Sequence, residues 1–374
     1  MNILFILGNG FDLSLGLETS YKSFLKHYLN NHQPSIDPFI EDFKNQLWQD
    51  IETWTDLETR LGQWLDDSVS SDRAISVHDD LVNELSLYMK NEQERVKPNM
   101  KVREQILSNM ANISHHLRRN LDKSDITNYI SKFTNTLPHI INIITLNYTD
   151  TFERLALQEG ENVFQCVDNK ITFKFNRPIH IHGTVDNGIV LGVNDEAQVS
   201  NRQLVNENSI RNRFIKTSTI NNVYRTGYEE QAINAIDAAN LICIYGTSFG
   251  KTDKRIWKRI VKRVVDYNTR VILFHYGNES FGGNEGPKMV DKIESLNRPF
   301  VSYGISSDTG RPVSIPSNVL GEYNSDIFNI KVEIAEQKPV YLPDEAEMLA
   351  RTKKTIEDAL RVNRQWKRGD SKRK

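Results

Sequence analysis

The chain has 374 residues, enough for two domains or for one domain with a large insertion, and its 47 basic residues nearly balance 49 acidic ones. No overall field therefore steers it toward nucleic acid or a membrane surface, and the two cysteines, Cys166 and Cys243, supply neither a disulfide framework nor a cysteine zinc site. The first residues lack a basic segment and a cleavage site, and no apolar run is long enough to span a bilayer, so the expected location is the cytoplasm.

Residues 3–7 form a short unbroken apolar run, the pattern of a strand buried on both faces of a parallel sheet. The run stops at Gly8-Asn9-Gly10-Phe11-Asp12. Both glycines tolerate a positive φ and let a ligand approach the backbone, and a strand running into such a turn is where open α/β sheets cradle phosphates. The alternative is a tight turn that only joins strand to helix, with Asp12 or Ser14 opening the helix. From 17 to 137 the chain is helical in character, with Thr19 or Ser20 as a cap before Tyr21, Phe24, Leu25 and Tyr28. Trp48, Ile51 and Trp54 line one face, as do Leu57, Leu61, Trp64 and Leu65, and Glu58 lies beside that stripe, either at a solvated edge or facing a pocket.

A second buried-type strand over 140–146 ends in Asn147-Tyr148-Thr149-Asp150 and feeds a helix with Phe152, Leu155 and Ala156 inward. Residues 163–167 and 171–175 read as a hairpin. Next, His180 and His182, two apart in an extended run, would project to one face. Residues 189–191 suggest a further strand, 206–239 a helical stretch with Tyr224 and Tyr228 on one face, and 241–245 a third buried strand ending in Gly246-Thr247-Ser248-Phe249-Gly250. That turn, with two hydroxyls and backbone amides, suits a phosphate or ribose, and a helix carrying Ile256, Trp257, Ile260 and Val264 follows it. Residues 271–275 are a fourth strand, 282–286 a loop, 299–321 a Ser-, Gly- and Pro-rich loop, 328–334 an edge strand, and 345–366 a closing helix before a basic tail at 367–374. Four apolar strands alternating with helices predict an α/β fold: an open, mostly parallel sheet with helices on both faces and a large helical insertion after the first strand. The expected organisation is a nucleotide-binding core of 1–16 and 138–340, an insertion of 17–137, and a C-terminal helix and tail of 341–374.

Leu7-Gly8-Asn9-Gly10-Phe11-Asp12 followed by Gly16-Leu17-Glu18-Thr19-Ser20-Tyr21 resembles the signature of the bacteriophage abortive-infection AbiH family. Trp54-Thr55-Asp56-Leu57-Glu58, Leu146-Asn147-Tyr148-Thr149, His180-Ile181-His182-Gly183 and Gly246-Thr247-Ser248 fit the same family, in order, across most of 3–260. The family implies phage defence and, with it, a phage-derived trigger, but no chemistry. More distantly, the layout is similar to the sirtuin-like NAD-binding fold, a Rossmann-like sheet with a glycine turn, an asparagine turn, a His-Gly pair and a Gly-Thr-Ser turn in that order. That resemblance implies a cofactor-binding set of Gly8, Asn9, Gly10, Phe11, Asp12, Tyr21, Tyr148, His180, Gly246, Thr247 and Ser248, with NAD as substrate. It implies a catalytic set of Asn147, which positions a water, His182 as general base, and Asp150. The acid that sirtuin-like enzymes carry two residues after the asparagine is Thr149 here, and Asp150 comes one later. Two cysteines cannot build the four-cysteine zinc module of deacetylase sirtuins, so deacetylation and a bound metal are not expected. Cleaving the nicotinamide–ribose bond needs an oxocarbenium-like state stabilised, a nucleophile aligned and a base to take its proton.

Three readings follow: an NAD glycohydrolase that halts the infected cell; a metal-dependent hydrolase or nuclease with His180 and His182 as ligands beside Asp12, Glu58 or Asp150; and a non-catalytic nucleotide-binding sensor. In the first and third the ligand is a nucleotide, and in the second the basic tail could touch nucleic acid. Nucleic acid is otherwise not an expected partner, and the charged helical insertion could serve self-association.

Overall fold

The computed structural model describes residues 1–30, 37–133, 138–157, 163–166, 171–224, 226–267, 269–279, 285–304, 318–336, 343–344, 346–350, 353–354 and 357. The chain divides into two compact units. The first comprises Met1–Leu17, Glu92–Gly188 and Arg225–Ala335; the second comprises Glu18–Asn91, Ile189–Tyr224 and Glu336–Lys374. The helical stretch that the sequence groups after the first strand is thus shared between them.

The first unit is built on one sheet. Its strands are β1 (Asn2–Leu7), β2 (His139–Thr145), β3 (Val163–Cys166), β4 (Ile171–Phe175) and β5 (Ile179–His180). Two-residue elements β6 (Gly183–Thr184) and β7 (Gly188–Ile189) follow, then β8 (Leu241–Tyr245), β9 (Arg270–His275) and β10 (Val319–Tyr323). The order across the sheet is β10-β9-β8-β1-β2-β4-β3, with β5 also beside β2. Within this sheet every pairing is parallel except β3 with β4. Neighbours to either side of β1 are reached by opposite crossovers, so the strand order reverses between β1 and β8.

Alternation along the strands explains why both faces are covered. Ile3, Phe5, Leu7, Ile141, Ile143, Leu241, Cys243 and Ile272 share one core. Into it pack Val102, Ile106 and Met110 of α6 (Met100–Ala111), Ile126 of α7 (Asn120–Ser131) and Phe152 and Leu155 of α8 (Thr151–Ala156). Leu4, Ile6, Ile144, Ile242, Ile244, Val271 and Leu273 form the other core. Ala232 and Ile236 of α11 (Tyr228–Ala238), Trp257, Ile260 and Val264 of α12 (Lys254–Tyr267) and Phe300 of α13 (Glu285–Val301) cover it. The short α1 (Gly10–Ser14) follows β1 directly and ends before Gly16, whose φ is +88°.

The second unit holds α2 (Tyr21–Asn30), α3 (Pro38–Gln49), α4 (Leu57–Trp64), most of α5 (Ser71–Glu94), α9 (Asn208–Phe214) and α10 (Lys216–Ser218). Ser20 accepts the Ser23 amide at 3.0 Å at the head of α2, and Asp56 accepts the Thr59 amide at 3.1 Å at the head of α4. Phe43 stands edge-on to Trp54 and Trp64, with ring centroids 5.3 and 5.1 Å away; Trp54 is buried, and Trp48 and Trp64 are half-buried. Beside them Glu58 and Lys216, 5% and 4% exposed, form an ion pair at 2.8 Å, and the Tyr21 hydroxyl donates to the other Glu58 oxygen at 3.1 Å. Glu58 is therefore buried and paired, not a solvated edge residue.

Several local expectations are corrected. Residues 328–334 make no strand; Phe328 and Ile330 are buried in the first core, and only Ile334 forms an isolated bridge, with Val96. The edge strand is β10, which begins within the stretch expected to be a loop, and 299–301 belong to α13. Residues 189–191 contribute only Ile189 to a two-residue element. Tyr224 and Tyr228 do not share a helix: Tyr224 ends the segment Thr219–Tyr224, and Tyr228 opens α11 after Gly227 at φ +67°. Of the expected loop at 282–286, residues 282–284 lie outside the described residues and 285–286 open α13. The hairpin tip, most of the closing helix and the basic tail also lie outside the described residues.

Candidate functional site at the carboxyl edge of the sheet

The turns after β1, β2 and β8 all leave the same edge of a parallel sheet, and the order reversal between β1 and β8 is where open α/β folds bind ligands. The glycines there have a more immediate reason. Gly8 donates its amide to the Tyr245 carbonyl and Gly10 to the Gly246 carbonyl, each at 2.9 Å. A Cβ on Gly8 would lie 2.5 Å from the Gly246 oxygen, and one on Gly10 would lie 2.4 Å from the Gly246 Cα. Gly246 itself is at φ +70°, whereas Gly8 and Gly10 are not left-handed. Backbone packed on backbone accounts for all three glycines, so they carry no independent argument for a phosphate.

Around this contact the predicted residues fall into three groups. Phe11 is in the core, edge-on to Phe328 with centroids 5.2 Å apart. Asn9 is half-buried at the head of α1, Ser248 is exposed, and Thr247 Oγ1 is buried with no hydrogen-bond partner. The loop carrying Thr247 is held in place: Phe249 adopts φ +54°, and the Tyr303 hydroxyl donates to the Phe249 and Gly250 carbonyls at 2.9 and 3.1 Å. Tyr21 belongs to the second unit, where it meets Glu58.

The second group centres on Asp12, 1% exposed. The Thr149 hydroxyl donates to Asp12 Oδ2 at 2.5 Å. Burial pushes this carboxyl up to about 7, against the pull of Thr149, Thr151 and Asn147, and the charge of Glu153 adds to the rise. Asp12 Oδ1, Asn147 Oδ1, Thr151 Oγ1 and Glu153 Oε2 are buried and make no well-formed hydrogen bond. Asp150 stands apart: its carboxylate pairs with Arg154, and its amide donates to Gln93 Oε1 at 3.0 Å.

The third group is the histidines. β5 ends at His180, and His182 lies in the turn beyond it, so strand alternation does not relate them. His180 Nε2 meets Glu153 Oε1 at 2.7 Å and its Nδ1 faces the Asn147 carbonyl at 3.2 Å. Burial opposes charging of the ring, but Glu153, the Asn147 carbonyl and Asp150 outweigh it and hold His180 above the usual histidine range. His182 Nδ1 faces the Leu146 carbonyl at 3.2 Å, its Nε2 meets Asp253 Oδ1 at 2.8 Å, and the Tyr148 ring lies 6.3 Å away. Asp253 ends the Gly246–Asp253 turn that the sequence marks as suited to a ligand, whereas Thr151 and Glu153 carry no such signal, Glu153 being only an acid one helical turn beyond the asparagine turn. Among the described residues no group of three or more His, Cys, Asp or Glu side chains is placed to hold a metal ion, and no helix is long and apolar enough to cross a membrane.

No curated protein matches the chain. A family model described as bacteriophage abortive infection AbiH matches residues 4–276, which include every strand-end turn of the site. The chain belongs to the AbiH family.

Proposed function

We propose that this AbiH protein protects against phage by binding NAD at the carboxyl edge of the sheet and hydrolysing its nicotinamide–ribose bond. Family membership supports the abortive-infection role. One observation carries the chemistry: Asp12, buried and titrating near neutral pH, stands with Asn147 and Thr151 where β1 and β2 end, and each has a buried oxygen that makes no well-formed hydrogen bond. Such atoms are rare and costly, and clusters of them beside a shifted carboxyl mark functional sites. A carboxamide and ribose hydroxyls are the kind of donors and acceptors that would satisfy them.

In this reading a water attacks the ribose C1′, the C1′–N bond breaks, and nicotinamide leaves with the bonding electrons. Asn147 orients the water. The proton goes to the His182–Asp253 pair, and His182 exchanges Asp253 for the water at Nε2 to receive it. Asp12 is the acid that faces the substrate carboxamide, because Asp150 is held by Arg154. The His180–Glu153 pair fixes the Asn147 carbonyl. The two-histidine metal reading gains no support, since His180 and His182 each engage a different carboxylate.

The test is free nicotinamide from purified protein, with phage lysate added, for wild type, Asn147→Ala and His182→Ala. Release by wild type, with each variant slower by roughly 10²-fold or more, supports the assignment. No release from a preparation that protects cells from phage defeats it.

A further inference from the structure

Away from this edge, α12 carries Lys254, Arg255, Lys258, Arg259, Lys262 and Arg263 against a single carboxylate, Asp266. Its other face, with Ile256, Trp257, Ile260 and Val264, is buried. The cations therefore recur on the outer side at i and i+4, advancing about 6 Å per step. Arg255 pairs with Glu229 of α11 at 2.8 Å, Arg259 with Asp237, and Lys262 with Asp266 at 2.6 Å. The side chains of Lys254 and Lys258 make no hydrogen bond or ion pair among the described residues. Surface pairs of this kind exchange easily for a better anion.

Between α11 and α12 runs a groove of about 320 Å³, lined by Ile233 and Ile256 together with Arg255, Lys258, Arg259 and Lys262, against one carboxylate, Glu229. At the end of α12, Tyr267 is 67% exposed, with the Arg263 guanidinium 4.1 Å from its ring centroid. Cations for phosphates and an exposed aromatic ring for bases are the requirements of single-stranded nucleic acid. A membrane surface fits less well, because an interfacial helix inserts its apolar face and here that face is in the core. We propose that the α11–α12 groove binds single-stranded nucleic acid through its backbone, without sequence preference. The near-zero net charge of the whole chain hides this local excess. The proposal does not depend on the NAD reading.

The test is fluorescence anisotropy of the full chain with labelled 20-nucleotide oligo(dT) and oligo(U). Four to six phosphate contacts give a roughly 50- to 300-fold loss of affinity between 50 and 200 mM salt. Lys258→Glu with Lys262→Glu, both at exposed positions, should weaken binding at least tenfold without changing the circular dichroism. Neutralising the basic residues of 367–374 should change it less than twofold. Four results would overturn the proposal: no binding at 50 mM salt, unchanged affinity in the α12 double variant, loss confined to the tail variant, or polyglutamate competing as well as the oligonucleotide. Binding to phosphatidylserine vesicles with none to oligonucleotide would equally overturn it.

Discussion

Replacing Asp12 by asparagine should stabilise the protein, and increasingly so as pH rises. The carboxyl is 1% exposed and is pushed from the ordinary 3.8 up to about 7. Between those values the folded chain keeps a proton that the unfolded chain has released. Stability therefore falls with rising pH across this window, by about 1.4 kcal/mol per pH unit, and levels off above it. The total comes to about 4 kcal/mol at pH 8, of which about 3 kcal/mol accrues between pH 5 and pH 8. Asparagine has the same shape, can still accept the Thr149 hydroxyl, and carries no charge at any pH. Urea denaturation of wild type and Asp12→Asn at pH 5 and pH 8 measures the difference, in which the titration of other groups cancels. An advantage for the variant that grows by about 3 kcal/mol is expected. An advantage that is the same at both pH values would refute the claim that this carboxyl is buried and unrelieved.

Other expectations follow from the same geometry. His180 is held above its ordinary range by Glu153, so the pair stabilises the fold below about pH 6.5 and the gain is lost as pH rises through the raised value. Glu153→Gln should therefore lower the His180 titration midpoint, read by NMR of its ring protons, and should destabilise the protein more at pH 6 than at pH 9. Gly10→Ala sets a Cβ 2.4 Å from backbone and should cost more than about 2 kcal/mol by denaturation, whereas Gly227→Ala, in open space at φ +67°, should cost only about 1 kcal/mol. In the second unit, Lys216→Met leaves Glu58 buried with its charge and should cost about 3–5 kcal/mol, and adding Glu58→Gln should recover more than half of the loss.

The sheet was legible because β1, β8 and β9 contain unbroken apolar runs and β2 is broken only by Asn142, the pattern of strands covered on both faces. The edge was not. β10 carries Gly321 mid-strand, where a Cβ would lie 2.3 Å from Ile293 Cγ2, so close helix packing on the strand took the form of a loop-like composition. Conversely, Phe328 and Ile330 alternate like a strand but plug the core, Phe328 against Phe5, Phe11 and Tyr245. Sequence placed three polar turns at one sheet edge, and the structure has them there. It could not reveal that Gly8 and Gly10 face Gly246 rather than open space, since a glycine does not record what approaches it. Nor could it pair His182 with Asp253 or His180 with Glu153, contacts between residues 71 and 27 positions apart. Asp150 and Asp12 were both visible as acids, and only burial separates the one tied to Arg154 from the one titrating near 7.

The most direct test of the central claim is the NAD content of phage-infected cells carrying wild type, Asn147→Ala or His182→Ala, measured alongside phage yield. The account predicts that NAD collapses and phage yield falls together in wild-type cells, with both effects abolished in each variant. Full protection by the wild-type protein while NAD stays constant would contradict it.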